Sequence, residues 1–439
     1  MVAQEFLSLV GQFKLTSYVG VEDFADKLNF LFSVVILIIS MMVVTVKSYF
    51  FKPLACYIAT TPSGSNFDNY LENYCWVHGT ISILPGENIP QTDADWAIVD
   101  QTKRITYYQW VPFILGLQCI MFYVPRVIWQ LICYNKVGTN LESLAIDADA
   151  ASHSPPSERK DKIERIVRTI EDMLFQHRDY RQGKMADMRR NIYKMCNFCV
   201  FSKHMGTWLV LSYILMKFMY GINVIGQLFL MKKFLGFNSS MSSFGYTILS
   251  NIADGKEWHQ TGIFPRVTYC YIGEIKHLGA SNKYVGQCAL PINMLNEKIY
   301  VFLWFWVFLV GIITAISIPM WFFRIAILSR RSSFIKKFLM MHQAYNRSDK
   351  QLINSFIREF LRHDGVFLIR MICINAGDIV TADIVNRLWE IYKENYKNMD
   401  FLNFSAYPKP MDMTTGLRRN QNISSSDESI KKENLDNFV

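Results

Sequence analysis

Four long apolar stretches, separated by polar segments, dominate the hydropathy pattern of the chain. They run over Leu28–Val46, Trp110–Tyr134, His204–Met231 and Ile299–Phe323. A membrane-crossing helix needs roughly 20 apolar residues, whereas core helices of soluble proteins are usually shorter and more interrupted. The pattern therefore predicts a membrane protein with four transmembrane helices. The first stretch starts too late and runs too long for a signal peptide, so we expect it to be retained.

Lysine and arginine are distributed unevenly between these stretches. Residues 135–203 carry thirteen, whereas the first loop, of similar length, carries four. Basic residues favour the cytoplasmic side of a membrane. We therefore expect this middle loop and both termini in the cytoplasm, and the loops at 47–109 and 232–298 outside. The net charge of +9 then reflects topology and contact with anionic membrane lipid, and we expect no nucleic-acid partner.

The cytoplasmic segments differ in character. Residues 1–27 precede the first span, and the middle loop becomes strongly charged and helical after a Ser/Pro/Ala stretch. Residues 324–406 show helical periodicity broken at glycines, which predicts a packed helical domain. Residues 407–439 are polar and contain a serine-rich acidic run, which indicates a disordered tail and a phosphorylation target.

Four of the nine cysteines fall in the predicted outside loops. They are Cys56 and Cys75 in the first loop, and Cys270 and Cys288 in the second. An oxidising exterior favours disulfides, and four cysteines allow three connectivities, among which the sequence does not choose. We expect bridges between the loops, nested as Cys56–Cys288 and Cys75–Cys270. Such bridges would join both loops into one compact cap.

Other sequence motifs argue against an enzyme. Cys196 and Cys199 form a Cys-x-x-Cys, but with no second pair or ligand-spaced histidines nearby we expect no metal site. The sequence has no phosphate-binding glycine loop, no His-Glu-x-x-His and no Ser/His/Asp set in a recognisable local context, so we expect no catalysis and no cofactor. Asn238-Ser239-Ser240, in the second outside loop, is a candidate N-glycosylation sequon.

Two patterns near the N-terminus are candidates for pore lining. The first is a short apolar helical face made by Val2, Phe6, Leu9 and Phe13. That helix could lie on the membrane surface or fold back into a pore. The second is a polar stripe in the first span, within about 40° on a helical wheel, made by Asn29, Ser33 and Ser40. Such a stripe either packs against other helices or lines a pore.

Lys217 is an ionisable residue near the middle of the third apolar stretch. A charge at that depth is a functional-site hypothesis by default, because an unpaired charge in a membrane is costly. The alternative is that Lys217 pairs with acidic groups inside the helix bundle.

The segment Tyr107–Phe113, which reads Tyr-Tyr-Gln-Trp-Val-Pro-Phe, leads directly into the second apolar stretch. Tyr107, Tyr108 and Trp110 have amphipathic rings that suit the headgroup layer. Pro112 suits the first turn of a helix, where its missing N–H is no loss. The remaining residues of the segment are Gln109, Val111 and Phe113. The segment as a whole predicts the boundary between an outside loop and a membrane helix.

The same heptapeptide resembles the hallmark sequence of the innexins, the invertebrate gap-junction proteins. Four further segments resemble blocks of that family, in the same order along the chain. They are Asp23–Asn29 at the entry to the first span, Asn73–Val77 around Cys75, Phe264–Thr268 before Cys270, and Phe360–Arg370 in the cytoplasmic domain. The middle loop and the C-terminal tail show no clear match.

The resemblance implies an all-α polytopic membrane protein: a four-transmembrane-helix bundle with disulfide-stapled extracellular loops and a helical cytoplasmic domain. It implies a large-pore gap-junction channel in the plasma membrane, passing ions and small metabolites. The assembly would be a homo- or hetero-oligomeric ring of about eight subunits, docked to a hemichannel on the adjacent cell. In innexins the N-terminal segment folds into the pore, which favours the pore-lining interpretation of residues 2–14.

Two other functions remain open on the sequence. An undocked hemichannel would release small molecules to the exterior, and a glycan on Asn238 would favour it by occupying the docking face. A four-span adhesion or scaffold protein, of the tetraspanin or claudin kind, is the alternative from a different class. Its signature motifs, a Cys-Cys-Gly or a Gly-Leu-Trp followed by two cysteines, do not occur in the outside loops.

Overall fold

The computed structural model describes residues 19–58, 64–84, 86–137, 141–176, 206–234, 264–277, 280–345 and 349–396. Three of the four predicted apolar stretches lie wholly within a long helix, and the third, predicted from His204, lies in a helix from Trp208 onward. These helices are α1 (Phe24–Tyr49), α4 (Tyr107–Val137), α7 (Trp208–Phe234) and α8 (Pro291–Ala326). Helix α1 contains a π-helical turn at Leu28–Phe32.

The remaining elements form an outer and an inner group. The outer group is β1 (Ala55–Tyr57), α2 (Ser65–His78), β2 (Thr80–Ile81), α3 (Asp93–Lys103), β3 (Arg104–Ile105), β4 (Val267–His277) and β5 (Ala280–Ala289). The inner group is α5 (Leu141–Ser152), α6 (Pro156–Gln176), α9 (Leu328–Met341), α10 (Lys350–Ser355) and α11 (Arg362–Tyr396). A π-helical turn, Phe356–Leu361, connects α10 to α11.

Local capping explains where some of these helices begin. Helix α1 starts with a reciprocal capping box, in which the side chains of Asp23 and Asp26 each accept the other's backbone N–H. Helix α8 starts with Pro291 in its first turn, where no N–H is needed. Helix α4 begins at Tyr107, earlier than the sequence indicated, so the placement of Pro112 in the first turn was wrong. The first turn of α4 therefore includes Tyr108, whose side chain is buried among the residues of the two bridged loops.

Apolar side chains form two large cores. The outer core joins the outer halves of α1, α4, α7 and α8 to the cap, and contains Cys75, Tyr108 and Cys288. The inner core joins the inner ends of the same helices to α5, α6, α9 and α11, and contains Trp129 and Phe367. The protein is therefore built as an outer cap, a helix bundle and an inner helical domain.

Five helical segments in the described ranges are long and apolar enough to cross a membrane. The fifth, Lys350–Glu394, was not predicted as a span. It is interrupted by the π-helical turn and by Gly377, whose φ of +79° breaks the helical backbone within α11. Helix α11 packs against α5, α6 and α9, so much of its apolar surface is buried in the inner core.

The cap contains a five-stranded antiparallel sheet in the order β1-β5-β4-β2-β3. Its centre is the β4–β5 hairpin, which comes from the second loop predicted to lie outside, while the other strands come from the first. The prediction of an all-α membrane protein with stapled loops is confirmed in part, since the described residues are mostly helical and the two loops are bridged. The sheet is an addition that the sequence analysis did not predict.

Candidate channel elements in the cap and at the inner end of the bundle

Two disulfides tie the first of the two loops predicted to lie outside to the second. Cys56 on β1 is bonded to Cys288 on β5, its direct cross-strand partner, and Cys75 on α2 is bonded to Cys270 on β4. This is the nested connectivity. The Sγ atoms of Cys56, Cys75 and Cys288 lie within 4.8 Å of one another, so the two bridges are adjacent. Bonded sulfurs are not thiolate ligands, and we assign no metal to this cluster.

The start of α4 holds the end of α2, the helix that carries Cys75. The Nε2 atom of Gln109 donates to the backbone carbonyls of Trp76 and Val77, the latter at 3.2 Å. The Tyr108 hydroxyl lies 3.5 Å from the carbonyl of Cys75, and its ring lies 5.0 Å from that of Trp76. The last carbonyls of a helix lack intrahelical partners, so Gln109 supplies a cap from outside the helix.

The chain leaves α2 through a turn that requires glycine. Gly79 has a φ of +97°, and a Cβ at this position would lie 2.7 Å from Cγ2 of Thr106 and 2.9 Å from the carbonyl of Ile105. Both neighbours immediately precede α4, so the close approach brings the end of α2 against the start of the second span. Trp110 and Phe113, in contrast, are 58% and 61% exposed and present their rings outward, as an interfacial belt would.

At the opposite end of the bundle, Lys217 lies in a buried cluster of charged and polar groups. Its side chain is 1% exposed, and Nζ donates to Asp23 Oδ2, Asp26 Oδ1 and Ser317 Oγ, each at 2.9 Å. The cluster joins the start of α1 to α7 and α8. Of the two sequence alternatives for Lys217, the structure shows pairing within the bundle.

Aromatic donors complete this inner charge cluster. Tyr213 donates its hydroxyl to Asp26 at 2.6 Å, and Trp321 donates its indole N–H to Asp23. Burial alone would raise the pKa of Asp23, but the charge and hydrogen bond of Lys217 outweigh burial and lower this pKa. Two carboxylates thus share one ammonium and several neutral donors, which satisfies groups that would otherwise be very costly to bury.

The polar stripe of the first span faces the bundle interior. Asn29 donates to Thr314 Oγ1 on α8 at 2.8 Å, and Ser33 accepts from Trp306 Nε1 at 2.9 Å. Both are fully buried within the subunit, and Ser40, also buried, donates to its own helix at Ile36. The packing alternative therefore holds for Asn29 and Ser33, and their assignment to the pore lining is corrected, because they have no surface to present to a pore.

Several predicted residues lie outside the described ranges. They are Val2, Phe6, Leu9 and Phe13 of the N-terminal face, Asn238 of the sequon, and Cys196 and Cys199. Sequence reasoning missed the partners of Lys217. The signal that could have found them is a pair of aspartates three residues apart at the entry to the first span, since a lone lysine in an apolar helix needs counter-charges.

Long apolar helices beneath a cap of two cross-linked loops, with a helical domain at the other end, define a polytopic membrane protein with a disulfide-stapled cap. The innexin family model matches residues 22–392. The chain is 34% identical to innexin unc-9 of Caenorhabditis elegans over 374 residues, which cover 85% of this chain and 93% of the relative. It is 32% identical to innexin-3 of the same nematode over 381 residues, covering 87% and 86%. The chain belongs to the innexin family, whose members are gap-junction channel subunits.

Proposed function

We propose that the chain is a subunit of an oligomeric gap-junction channel that passes ions and small metabolites between adjacent cells. The observation that carries the proposal is the cap, in which two disulfides join both outside loops and Gln109 fixes the cap to the second span. A docking surface that is rigid before contact lowers the ordering cost of joining two membranes. A cap whose two loops are joined by disulfides has this rigidity.

The proposed topology has four membrane spans, α1, α4, α7 and α8, with both termini in the cytoplasm. The fifth apolar segment belongs to the inner domain, because it is broken at Gly377 and packs on α5 and α6. Helices α5 and α6 come from the lysine- and arginine-rich middle loop, whose composition favours the cytoplasmic side.

The proposed pore is lined in part by the N-terminal segment, through Val2, Phe6, Leu9 and Phe13. Support comes from the anchoring of the following residues, since Asp23 and Asp26 are bonded to Lys217 at the inner end of the bundle. This anchor supports an N-terminal segment at the cytoplasmic mouth of the proposed pore.

The proposed assembly is a ring of about eight identical or related subunits, closed by rotational symmetry. Exposed apolar side chains on α4, including Leu117 and Ile120, offer surface to membrane lipid and to neighbouring subunits. Each ring would dock to a ring on the adjacent cell. No cofactor enters this mechanism, because a wide water-filled pore needs no ligand constellation.

Paired-cell recording tests the proposal. We expect junctional conductance and dye transfer between two cells that both express the protein, and neither between a cell that expresses it and one that lacks innexins. Single-cell currents without junctional conductance would instead indicate an undocked hemichannel. A monomeric purified protein, with no ring visible by electron microscopy, would contradict both channel functions and favour an adhesion or scaffold role.

A further inference from the structure

The chain is strongly basic just beyond the fourth apolar stretch. Residues 299–323 of α8 contain no charged side chain, and Arg324, in the last turn of this helix, is the first charge after them. From residue 299 to residue 348 the chain has six lysines and arginines but no aspartate or glutamate. A cluster of basic residues directly cytoplasmic of a membrane span favours contact with anionic lipid.

Arg324 lies at the edge of the apolar surface of α8. Its guanidinium carbon lies 6.0 Å from the ring centre of Trp321, about one turn earlier. The neighbouring Phe322, Phe323 and Ile327 are all exposed. This arrangement suits the boundary between lipid headgroups and acyl chains, because a long basic side chain can reach the headgroups while the apolar side chains contact the acyl chains.

A second arginine, from the inner domain, lies near the first. Arg370 is on α11, and its guanidinium carbon lies 3.9 Å from the ring centre of Phe334 on α9. The Nε atom of Arg370 is buried and makes no hydrogen bond to the described residues. Since α8, α9 and α11 contact one another, both arginines belong to the junction of these three helices.

The two arginines carry like charges that no carboxylate of the described chain neutralises. Burial, together with the nearby charge of Arg324, lowers the pKa of Arg370 to about 10. Elsewhere a half-exposed arginine of the inner domain does find a carboxylate, as Arg387 does with Glu164 at 3.1 Å. Like charges that are held together and partly buried are costly, and a bound anion offsets this cost.

We propose that Arg324 and Arg370 form a binding site for the phosphate of an anionic phospholipid in the inner leaflet. The site rests on the proposed topology, in which α8 spans the membrane and the inner domain lies in the cytoplasm. A planar guanidinium group offers paired N–H donors that match the oxygens of a phosphate. The contact with Phe334 holds Arg370 in place, while the exposed Arg324 reaches the phosphate from the end of the span.

A lipid fits this site better than a soluble phosphate. Arg324 lies in the last turn of a proposed span, at the depth of the headgroups. The exposed Phe322, Phe323 and Ile327 offer apolar surface along which acyl chains can lie. Two positive charges match a phosphate monoester, which carries nearly two negative charges at neutral pH, better than they match a zwitterionic headgroup.

Native mass spectrometry of the full-length protein in a neutral detergent tests the site. The probe is phosphatidic acid, a lipid with a phosphate monoester, and the number of bound lipids is followed as the lipid concentration rises. We expect saturable binding to the wild type. Binding to Arg324→Gln and to Arg370→Gln should each be about fivefold weaker, since one arginine near an anionic lipid surface contributes about that factor in affinity.

Arg358→Gln is the matched control, because it removes the same charge from an exposed arginine on the π-helical turn of the inner domain. We expect its lipid binding to equal that of the wild type. Wild-type binding in Arg324→Gln would overturn the site, and so would equal weakening in Arg324→Gln and the control. Because Arg324 is exposed, its variant is decisive even if Arg370→Gln does not fold.

Two further probes identify the source of the phosphate. We expect phosphatidylcholine to bind several-fold more weakly than phosphatidic acid. We also expect an excess of inorganic phosphate, at constant ionic strength, not to displace phosphatidic acid. Equal binding of the two lipids, or displacement by inorganic phosphate, would overturn an anionic-lipid site.

The binding measurement is separate from channel activity. Lipid binding with no junctional conductance between expressing cells would support the site and contradict the proposed channel function. Junctional conductance with the same lipid binding in the wild type and Arg324→Gln would do the reverse.

Discussion

The outer cap and the inner end of the bundle solve the same problem in different ways. Each must hold segments that are distant in sequence. The cap uses two covalent bridges and a sheet. The inner end uses Lys217, its two aspartates and the hydrogen bonds of Asp364 and Asn375. Among the described residues at the inner end, no disulfide links segments that are distant in sequence.

The difference is the one expected from the proposed topology, in which the cap lies outside the cell and the inner domain lies in the cytoplasm. Disulfides persist outside the cell, whereas cytoplasmic thiols are kept reduced. A covalent cap cannot rearrange easily, which favours docking to another cell. Hydrogen bonds and ion pairs can exchange partners, so the inner end can rearrange more easily than the cap. We therefore predict that mutations that break the cap abolish junctional conductance. Mutations at the inner end should change the conductance or lower the stability of the fold.

The largest expected effect comes from breaking a bridge. In Cys75→Ser we predict loss of junctional conductance between paired cells, because removal of a structural disulfide typically costs about 2–5 kcal/mol. Cys373→Ser is the control, since Cys373 is a free thiol of the inner domain that donates to Asp378, as a serine hydroxyl also can. Normal coupling in Cys75→Ser would contradict an essential stapled cap.

The next effect concerns the inner charge cluster. Lys217→Met leaves two buried aspartates without their counter-charge, and we predict a loss of about 3–5 kcal/mol in stability. Thermal unfolding of purified protein measures this, with Lys233→Met, an exposed lysine on the same helix, as control.

Rescue separates charge pairing from other roles of Lys217. The triple variant Lys217→Met, Asp23→Asn, Asp26→Asn carries no buried charge at this site, so we predict that it recovers much of the lost stability. If the single variant unfolds at the wild-type temperature yet conducts differently, Lys217 acts on permeation rather than on packing.

A smaller effect is expected where the cap meets the second span. Gln109→Leu removes two hydrogen bonds to the last carbonyls of α2, and we predict a loss of about 1–2 kcal/mol with the disulfides intact. The exposed Gln101→Leu on α3 serves as control. Equal unfolding temperatures for both variants would show that Gln109 does not hold the cap to the bundle.

The smallest effect is a dependence of cap stability on pH. Burial, together with the nearby charge of Arg104, lowers the pKa of His78, whose ring stacks on Tyr74 at 5.0 Å. Below the ordinary value of 6.5, the unfolded state binds a proton that the folded state does not, so stability is present above this value and falls as pH drops below it.

The measurement is the change in unfolding temperature between about pH 7.5 and about pH 5.5, compared between the wild type and His78→Gln. The comparison is needed because burial raises the pKa of Asp364 to about 7, so other groups also titrate in this range. We predict that lowering the pH destabilises the wild type more than His78→Gln, because only the wild type carries the histidine whose pKa is lowered by folding. An identical loss in both proteins would assign the dependence to other groups.

Much of this architecture could be predicted because its signals are local or strongly constrained. Runs of apolar residues reveal the spans, and the compartment of each cysteine limits the possible bridges. The cap sheet could not be predicted, since Thr80–Ile81 and Arg104–Ile105 are too short to show an alternating pattern, and their register depends on a distant hairpin. Whether Asn29 and Ser33 pack inside the bundle or line a pore depends on which helix they face. Helical periodicity alone does not give this information.

The junction between the sheet and the fourth span has a mechanical consequence. Strand β5 ends at Ala289 and α8 begins at Pro291, so Leu290 alone separates them. The N–H of Leu290 donates to the backbone carbonyl of Arg266. From Leu290, the ten residues of β5 extend about 33 Å toward the tip of the hairpin. Helix α8 extends about 40 Å in the other direction to Ser317. Since one residue separates the strand from the helix, no flexible linker stands between the hairpin and α8, the helix whose Ser317 is bonded to Asp23 at the start of the first span.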